Sequence, residues 1–254
     1  MPSKEPDAGH GVVSDADNSA ALPLPAVFLP GWGLGGASLE FLLNGSPWQV
    51  CALPEGDVLP EDFESACNVL AAGLPPVCHL GGWSLGALLA LGIARRAPER
   101  VCSLTLVAAT ASFLQRPGWS WGCPPAELRA FQRQVRKSGA AALPGFVEKF
   151  CRGDVQADDC ARFLLDHAHP PSQTALEAGL NWLAQADLRE GLERISCPVT
   201  LIHGEADPLM PIAAGAWLAD RLPHARLARV SGKAHAPFAP FPADAHFLRE
   251  CTPS

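Results

Sequence analysis

The stretch Val77-Cys-His-Leu-Gly-Gly-Trp-Ser-Leu-Gly86 decides how this chain is read. An apolar run leads into Gly82-Trp83-Ser84-Leu85-Gly86, and a helical pattern from Ala87 to Ala97 follows at once. Gly-x-Ser-x-Gly set between a strand and a helix is the pattern of a nucleophile elbow. The glycines let the backbone turn tightly where a Cβ would collide, so the serine can occupy a strained bend at the helix N-terminus. Ser84 Oγ is then expected at the carboxyl edge of a sheet, with the Leu85 N–H directed at whatever that oxygen attacks. Five residues alone also fit a Gly/Ser-rich turn; the strand before and the helix after favour the elbow.

Outward from this stretch, strands and helices alternate. Upstream, Ala26-Val-Phe-Leu29 reads as a strand that ends at the glycine-rich loop Pro30-Gly-Trp-Gly-Leu-Gly-Gly36, which lacks the lysine of a nucleotide-binding P-loop. A helix near Leu39–Leu43, a strand over Gln49–Leu53 and a helix over Glu61–Ala72 follow, the last with Phe63, Ala66, Cys67 and Leu70 on one face. Downstream, Val101–Val107 is β-rich and nearly all apolar, as a strand covered on both faces would be. From 113 to 189 the pattern is helical, interrupted by Pro117, Pro124, Pro125, Pro144, Pro170 and Pro171, with no good strand. Alternation resumes with a strand over Pro198–His203, a helix over Ile212–Leu222, a strand over Ala225–Val230 and a last helix near Ala243–Cys251. This order predicts an α/β fold: a mostly parallel sheet with helices on both faces. Residues 113–189 then form a helical lid over the carboxyl edge. Residues 1–23 are polar and aperiodic and are expected to be a disordered leader to a single domain over 24–254.

Composition removes several classes of function. With 254 residues, 48% of them hydrophobic and 18% charged, the chain can bury a full core and is not a disordered one. A net charge of −7 argues against a general nucleic-acid binder. No run of 18 apolar residues occurs and the N-terminus lacks a basic region followed by an apolar stretch, so neither a membrane span nor a signal peptide is expected. The nine cysteines are scattered, odd in number and without a Cys-x-x-Cys pair, which suits buried thiols in a reducing cytoplasm.

A serine hydroxyl needs a base, and the base needs an orienting acid. In elbow hydrolases the chain order is Ser, Asp or Glu, then His. The strand ending at His203 is followed by Gly204-Glu-Ala-Asp-Pro208, which offers Asp207 as the acid and Glu205 as the alternative; an Asp-Pro turn with no catalytic part is the structural reading. After the final strand comes Ser231-Gly-Lys-Ala-His-Ala-Pro-Phe238, placing His235 in a loop at the same edge as the base. Of the other histidines, His79 lies inside a strand, His203 ends one, and His10, His167, His169, His224 and His246 sit in the leader, in turns or on the last helix. An oxyanion requires two N–H donors. Leu85 supplies one, and Trp32 in the glycine loop is placed to supply the other.

Pro-Gly-Trp-Gly-Leu after the first strand, Gly-Trp-Ser-Leu-Gly, Ala97-Pro-Glu-Arg-Val101, the Asp207 loop and His235-Ala-Pro-Phe238 resemble the α/β-hydrolase family from about residue 26 to 251. More narrowly they resemble its branch that cleaves carrier-bound methyl esters in biotin synthesis. The family has histidine where this chain has Pro30, and it begins with a strand hairpin that residues 1–23 lack, so a sheet of about six strands is expected. The resemblance implies hydrolysis of the methyl ester of a pimeloyl chain held on acyl carrier protein, by a monomer, with no metal and no cofactor. It also implies that the aliphatic chain lies between Trp32, Trp83 and the lid residues Phe146 and Phe150, which are one helical turn apart. An acidic carrier calls for a basic surface, and between Glu127 and Arg152 six basic residues face two acidic ones. Arg133, Arg136, Lys149, Arg152 and Arg162 are the docking candidates. A general carboxylesterase acting on free short-chain esters uses the same three residues, and a non-catalytic hydrolase-fold protein normally loses one of them.

Overall fold

The computed structural model describes residues 23–56 and 59–240. Six strands, β1 (Ala26–Leu29), β2 (Trp48–Val50), β3 (Cys78–Trp83), β4 (Val101–Val107), β5 (Val199–Gly204) and β6 (Ala225–Val230), form one parallel sheet in the order β2-β1-β3-β4-β5-β6. The chain runs outward from β1 to β2, returns to β3, and then proceeds to the other edge. The carboxyl ends of β1 and β3 therefore flank a topological switch point, where loops diverge and leave a crevice. The glycine loop leaves β1 and the serine elbow leaves β3 at this point.

Residues of β1 alternate between two buried clusters: Val27 and Leu29 face one, Ala26 and Phe28 the other. The first cluster is filled by α2 (Phe63–Gly73), α3 (Leu85–Arg96) and α8 (Ile212–Arg221), the second by α1 (Ala37–Leu43) and part of the helical insertion. Helix α3 carries only Leu, Ala, Gly and Ile through Ala94 and is buried on every side, as an all-round apolar helix must be. Helix α2 starts at Asp62, whose carboxylate accepts the Ser65 N–H at 2.6 Å, and buries Phe63, Ala66, Cys67 and Leu70 as its periodicity predicts. It presses so closely on α3 that a Cβ at Gly92 would stand 2.8 Å from Cys67 Sγ.

Between β4 and β5 lie α4 (Pro125–Ser138), α5 (Leu143–Cys151), α6 (Ala157–Asp166) and α7 (Gln173–Gln185), with no strand beyond two isolated bridges. Pro125 and Pro144 stand in the first positions of α4 and α5, where a missing N–H costs nothing, so these prolines start helices. One element departs from expectation. Strand β2 covers Trp48–Val50 rather than Gln49–Leu53, because its partner β1 is only four residues long and gives way to Pro30. The expected helix near 243–251 and residues 1–22 of the leader lie outside the described residues.

Candidate active site

Ser84 sits between β3 and α3 with φ 57° and ψ −116°, a left-handed-side conformation that costs on the order of 1–3 kcal/mol for a residue with a Cβ. The strain is held in place from both sides: its N–H donates to the Val107 carbonyl at 3.0 Å and its own carbonyl accepts from Leu88 at 3.1 Å. The two motif glycines are required by close approach. A Cβ at Gly82 would stand 2.3 Å from the Gly86 carbonyl oxygen, and one at Gly86 would stand 2.2 Å from that of Leu29. Strand, helix and the start of the glycine loop thus meet backbone to backbone.

Ser84 Oγ lies 2.9 Å from His235 Nε2, and His235 Nδ1 lies 2.7 Å from Asp207 Oδ2. A carboxylate only accepts, so Nδ1 carries the proton and Nε2 is left with a lone pair toward the serine. All three groups are shielded, with relative exposures of 7% for Ser84, 1% for His235 and 6% for Asp207, so their mutual interactions are little screened by water. Burial by itself would raise the Asp207 carboxyl, but the charge of His235, the N–H of His203 and the N–H of His235 outweigh it and hold the group well below the usual carboxylate range. The backbone N–H groups of Leu209 and Met210 also donate to Oδ1, at 2.8 and 2.9 Å. Glu205, the alternative acid, is exposed, and Asp207 occupies the place beside His235. The His235 loop is fixed in turn by Trp83, whose Nε1 donates to the His235 carbonyl at 2.9 Å, and by the Phe150 carbonyl, which accepts the His235 N–H at 3.4 Å.

The glycine loop brings Trp32 to the same crevice. A Cβ at Gly31 would stand 2.8 Å from the Trp83 ring, and the Trp32 side chain is locked by its Nε1 donating to the Leu176 carbonyl at 2.9 Å. Among the described residues neither the Trp32 nor the Leu85 backbone N–H is given to a protein acceptor. The carbonyls of Leu29 and Pro30 lie against Gly86, so the loop is braced by α3 at the position where the family carries histidine.

Of the two phenylalanines expected to line the chain, Phe150 is buried against Trp83 and His235, and Phe146 is half-buried against Trp32 and Phe150. The structure adds Phe131, stacked on Phe146 with ring centres 5.1 Å apart and edge-on to Trp32 at 5.3 Å. Phe113, Leu128 and Leu209, with Phe131 and Phe146, line both the small space beside Ser84 and an apolar cleft of about 400 Å³ between α4 and α5. Leu128, Phe131 and Val135 repeat at helical spacing in the sequence, and that was the available sign that α4 turns this face inward. At the cleft mouth Lys149 pairs with Glu127 at 3.3 Å. Arg136 pairs with Glu177 at 3.6 Å and Arg162 with Asp159 at 2.9 Å, whereas Arg133 and Arg152 are exposed and form no ion pair among the described residues. Arg129, Arg133 and Lys137, four residues apart along α4, make one exposed basic stripe. No cluster of three or more His, Cys, Asp or Glu side chains suited to a metal ion occurs among the described residues, and none of the helices there is long and apolar enough to cross a membrane.

A switch-point crevice with a strained serine, a histidine and a buried carboxylate in register defines a class of enzyme, and the comparisons agree. A family model of the alpha/beta hydrolase fold matches residues 54–242, and the chain belongs to that family. Within it, the chain is 37% identical over 242 residues to a pimeloyl-[acyl-carrier protein] methyl ester esterase of Aromatoleum aromaticum, covering 88% of this chain and 96% of that protein. It is 34% identical over 226 residues to the protein of the same name from Chromobacterium violaceum, covering 84% and 87%. Among solved structures, an esterase from Exiguobacterium antarcticum superposes with a TM-score of 0.73 at 19% identity, over 90% of this chain and 91% of that one. A bromoperoxidase from Bacillus anthracis gives 0.74 at 19%, over 89% and 91%. These two likenesses are of fold alone.

Proposed function

We propose that this chain is a serine carboxylic-ester hydrolase that cleaves the methyl ester of pimeloyl-[acyl-carrier protein] in biotin synthesis. The observation that carries the reading is the unbroken relay from Ser84 Oγ to His235 to Asp207, with spacings of 2.9 and 2.7 Å, against an apolar, aromatic-lined pocket. The names of the relatives supply the substrate class. Ser84 Oγ attacks the ester carbonyl while His235 Nε2 takes its proton, and Asp207 steadies the imidazolium that results. The oxyanion is held by the N–H groups of Leu85 and Trp32, each worth on the order of 10²–10³ in rate. His235 then gives its proton to the departing methoxide, and methanol leaves. Water, activated by the same histidine, cleaves the acyl-serine and releases a free carboxylate on the carrier. Trp32, Phe131, Phe146 and Phe150 enclose the aliphatic chain. No step calls on a metal or cofactor.

In this reading 24–254 is one domain that acts as a monomer in the cytoplasm, and the helices within 113–189 are its lid. The carrier docks on the basic outer face of α4, to which Arg129, Arg133 and Lys137 contribute, with Arg152 near the end of α5. The test is turnover of methyl pimeloyl-carrier protein beside methyl pimelate and a short nitrophenyl ester. The expected result is a kcat/KM at least about tenfold higher for the carrier-bound ester, as charge-steered association gives. Equal or lower efficiency on the carrier-bound ester would make the chain a general carboxylesterase with the same relay.

A further inference from the structure

The relay reading leaves one buried titratable group beside it without a task. His203 is the penultimate residue of β5 and is 0% exposed. Its Nε2 lies 2.6 Å from the Met210 carbonyl oxygen and 3.4 Å from Asp207 Oδ2. A carbonyl oxygen and a carboxylate both accept only, so Nε2 must carry a proton, which the two oxygens share. The other ring nitrogen, Nδ1, is buried with no hydrogen-bond partner among the described residues. It lies against α8, where a Cβ at Gly215 would stand 2.6 Å from it. The ring is therefore fixed on one side by helix packing and on the other by a single donor with two acceptors.

We propose that His203 is a positioning residue of the Ser84 site: a second imidazole on Asp207 that locks the Asp207–Met210 turn and sets how strongly the carboxylate pulls on His235. The inference rests on the reading of Ser84, His235 and Asp207 as the reacting relay. Two contacts make it more than packing. Met210 gives its N–H to Asp207 Oδ1 at 2.9 Å and takes the His203 proton on its carbonyl, so His203 closes the turn that orients the carboxylate. Asp207 Oδ2, the oxygen bonded to His235 Nδ1, is the one His203 Nε2 also faces. Every donor drawn to that oxygen reduces the charge available to stabilise the His235 imidazolium. The charged and titratable groups facing Asp207 are these two histidines. Toward His235, α5 and β3 present only the apolar rings of Phe150 and Trp83, and Lys233 in the same loop is paired with Asp154 at 3.9 Å.

The test compares wild type with His203→Phe, which keeps a ring but removes the donor, and His203→Gln, which restores an N–H. Gly215→Ala serves as a third variant that displaces the ring without changing it. Three quantities are read: the pH profile of kcat/KM and the separate kcat and KM on a free methyl ester, the low-field proton resonance of His235 Nδ1–H, and thermal unfolding. Without the second donor, Oδ2 holds the imidazolium more strongly, so His235 stays protonated to higher pH. The acid limb of kcat/KM for His203→Phe should move up by about half a pH unit, with kcat reduced on the order of tenfold and KM little changed. The His235 resonance should shift in parallel, Gln should recover most of both, and Gly215→Ala, which presses the ring toward the Met210 and Asp207 oxygens, should move them the opposite way. If His203→Phe does not fold, Gly215→Ala carries the test with the same readouts. A folded His203→Phe or Gly215→Ala protein in which the acid limb and the resonance stay at their wild-type positions overturns the proposal and leaves His203 a packing residue. A fully active Ser84→Ala protein would instead remove the relay reading itself, while the resonance would still report whether His203 acts on Asp207.

Discussion

Around Ser84 three backbone segments touch: Gly82 against Gly86, Gly86 against Leu29, and the Ser84 N–H against Val107. Where α4 and α5 of the helical insertion meet, the backbone is more open, and side chains fill the gaps. A Cβ at Gly145 in α5 would meet nothing within 4 Å, and α4 buries only Leu128 and Val135 among fourteen residues. The two regions meet at one cleft, where Phe146 and Phe150 of the insertion face Trp32 and Trp83 of the core. The difference separates two tasks. Chemistry that needs atoms held within a few tenths of an ångström rests on close-packed backbone that no side-chain change can relax. In the proposed function, selection of a long acyl chain and its carrier falls to amphipathic helices whose outer faces can vary without disturbing that geometry.

The sharpest way to break this contrast is to add one methyl group to each region. Gly86→Ala should destabilise the protein by at least about 3 kcal/mol or prevent folding, because the colliding atoms are backbone oxygens that cannot move aside. Gly145→Ala should be neutral or stabilising by up to about 1 kcal/mol, as an open helical glycine allows. Chemical denaturation of both decides it, and similar costs at the two sites would end the distinction.

The next effect is on rate. Ser84→Ala should lower kcat by on the order of 10⁴–10⁶ with the fold intact, and Asp207→Asn by about 10⁴, since the amide favours the wrong imidazole tautomer. Circular dichroism and burst-free ester kinetics check both. Loss of activity in Glu205→Gln with retention in Asp207→Asn would move the acid to Glu205.

A smaller effect concerns stability against pH. The folded Asp207 carboxyl lies below its ordinary value of 3.8, so the folded state prefers the ionised form. Its contribution is therefore fully present above about pH 4–5 and is lost as pH falls through and below 3.8 toward the folded pKa. The stability gap between wild type and Asp207→Asn should be largest at neutral pH and narrow on acidification. Urea midpoints measured at pH 7, 5 and 3 give the comparison, and a gap that widens in acid contradicts the assignment.

Much of this was legible from the chain alone, for local reasons. Strands β1, β4 and β6 occupy the residues their apolar patterns predict, and α2 buries the four residues its periodicity picks out. Ser84, Asp207 and His235 are readable because each follows a strand, and a parallel sheet brings all those ends to one edge. What stayed hidden depends on contacts between distant segments. Phe131 looks like an ordinary core residue of α4 until Trp32 and Phe146 meet it. His203 reads only as the end of a strand, since linear spacing does not show that its Nε2 turns back to Asp207 and Met210. Arg136 and Lys149 look like free cations in sequence, but Glu177 and Glu127 stand 3.6 and 3.3 Å from them across helix pairs.

That last point chooses the decisive measurement. Arg129, Arg133 and Lys137 on α4 are exposed and unpaired among the described residues, and none of them lines the space beside Ser84. The triple variant Arg129→Glu, Arg133→Glu, Lys137→Glu is assayed on methyl pimeloyl-carrier protein and on a free methyl ester at low and high salt. If the core performs the chemistry and the insertion recognises the carrier, kcat/KM for the carrier-bound ester falls about tenfold at low ionic strength. The loss shrinks as salt shortens the Debye length to about 8–10 Å, while the free ester stays within about twofold of wild type. Unchanged turnover of the carrier-bound ester, or an equal fall on both substrates in a folded protein, contradicts that division of labour.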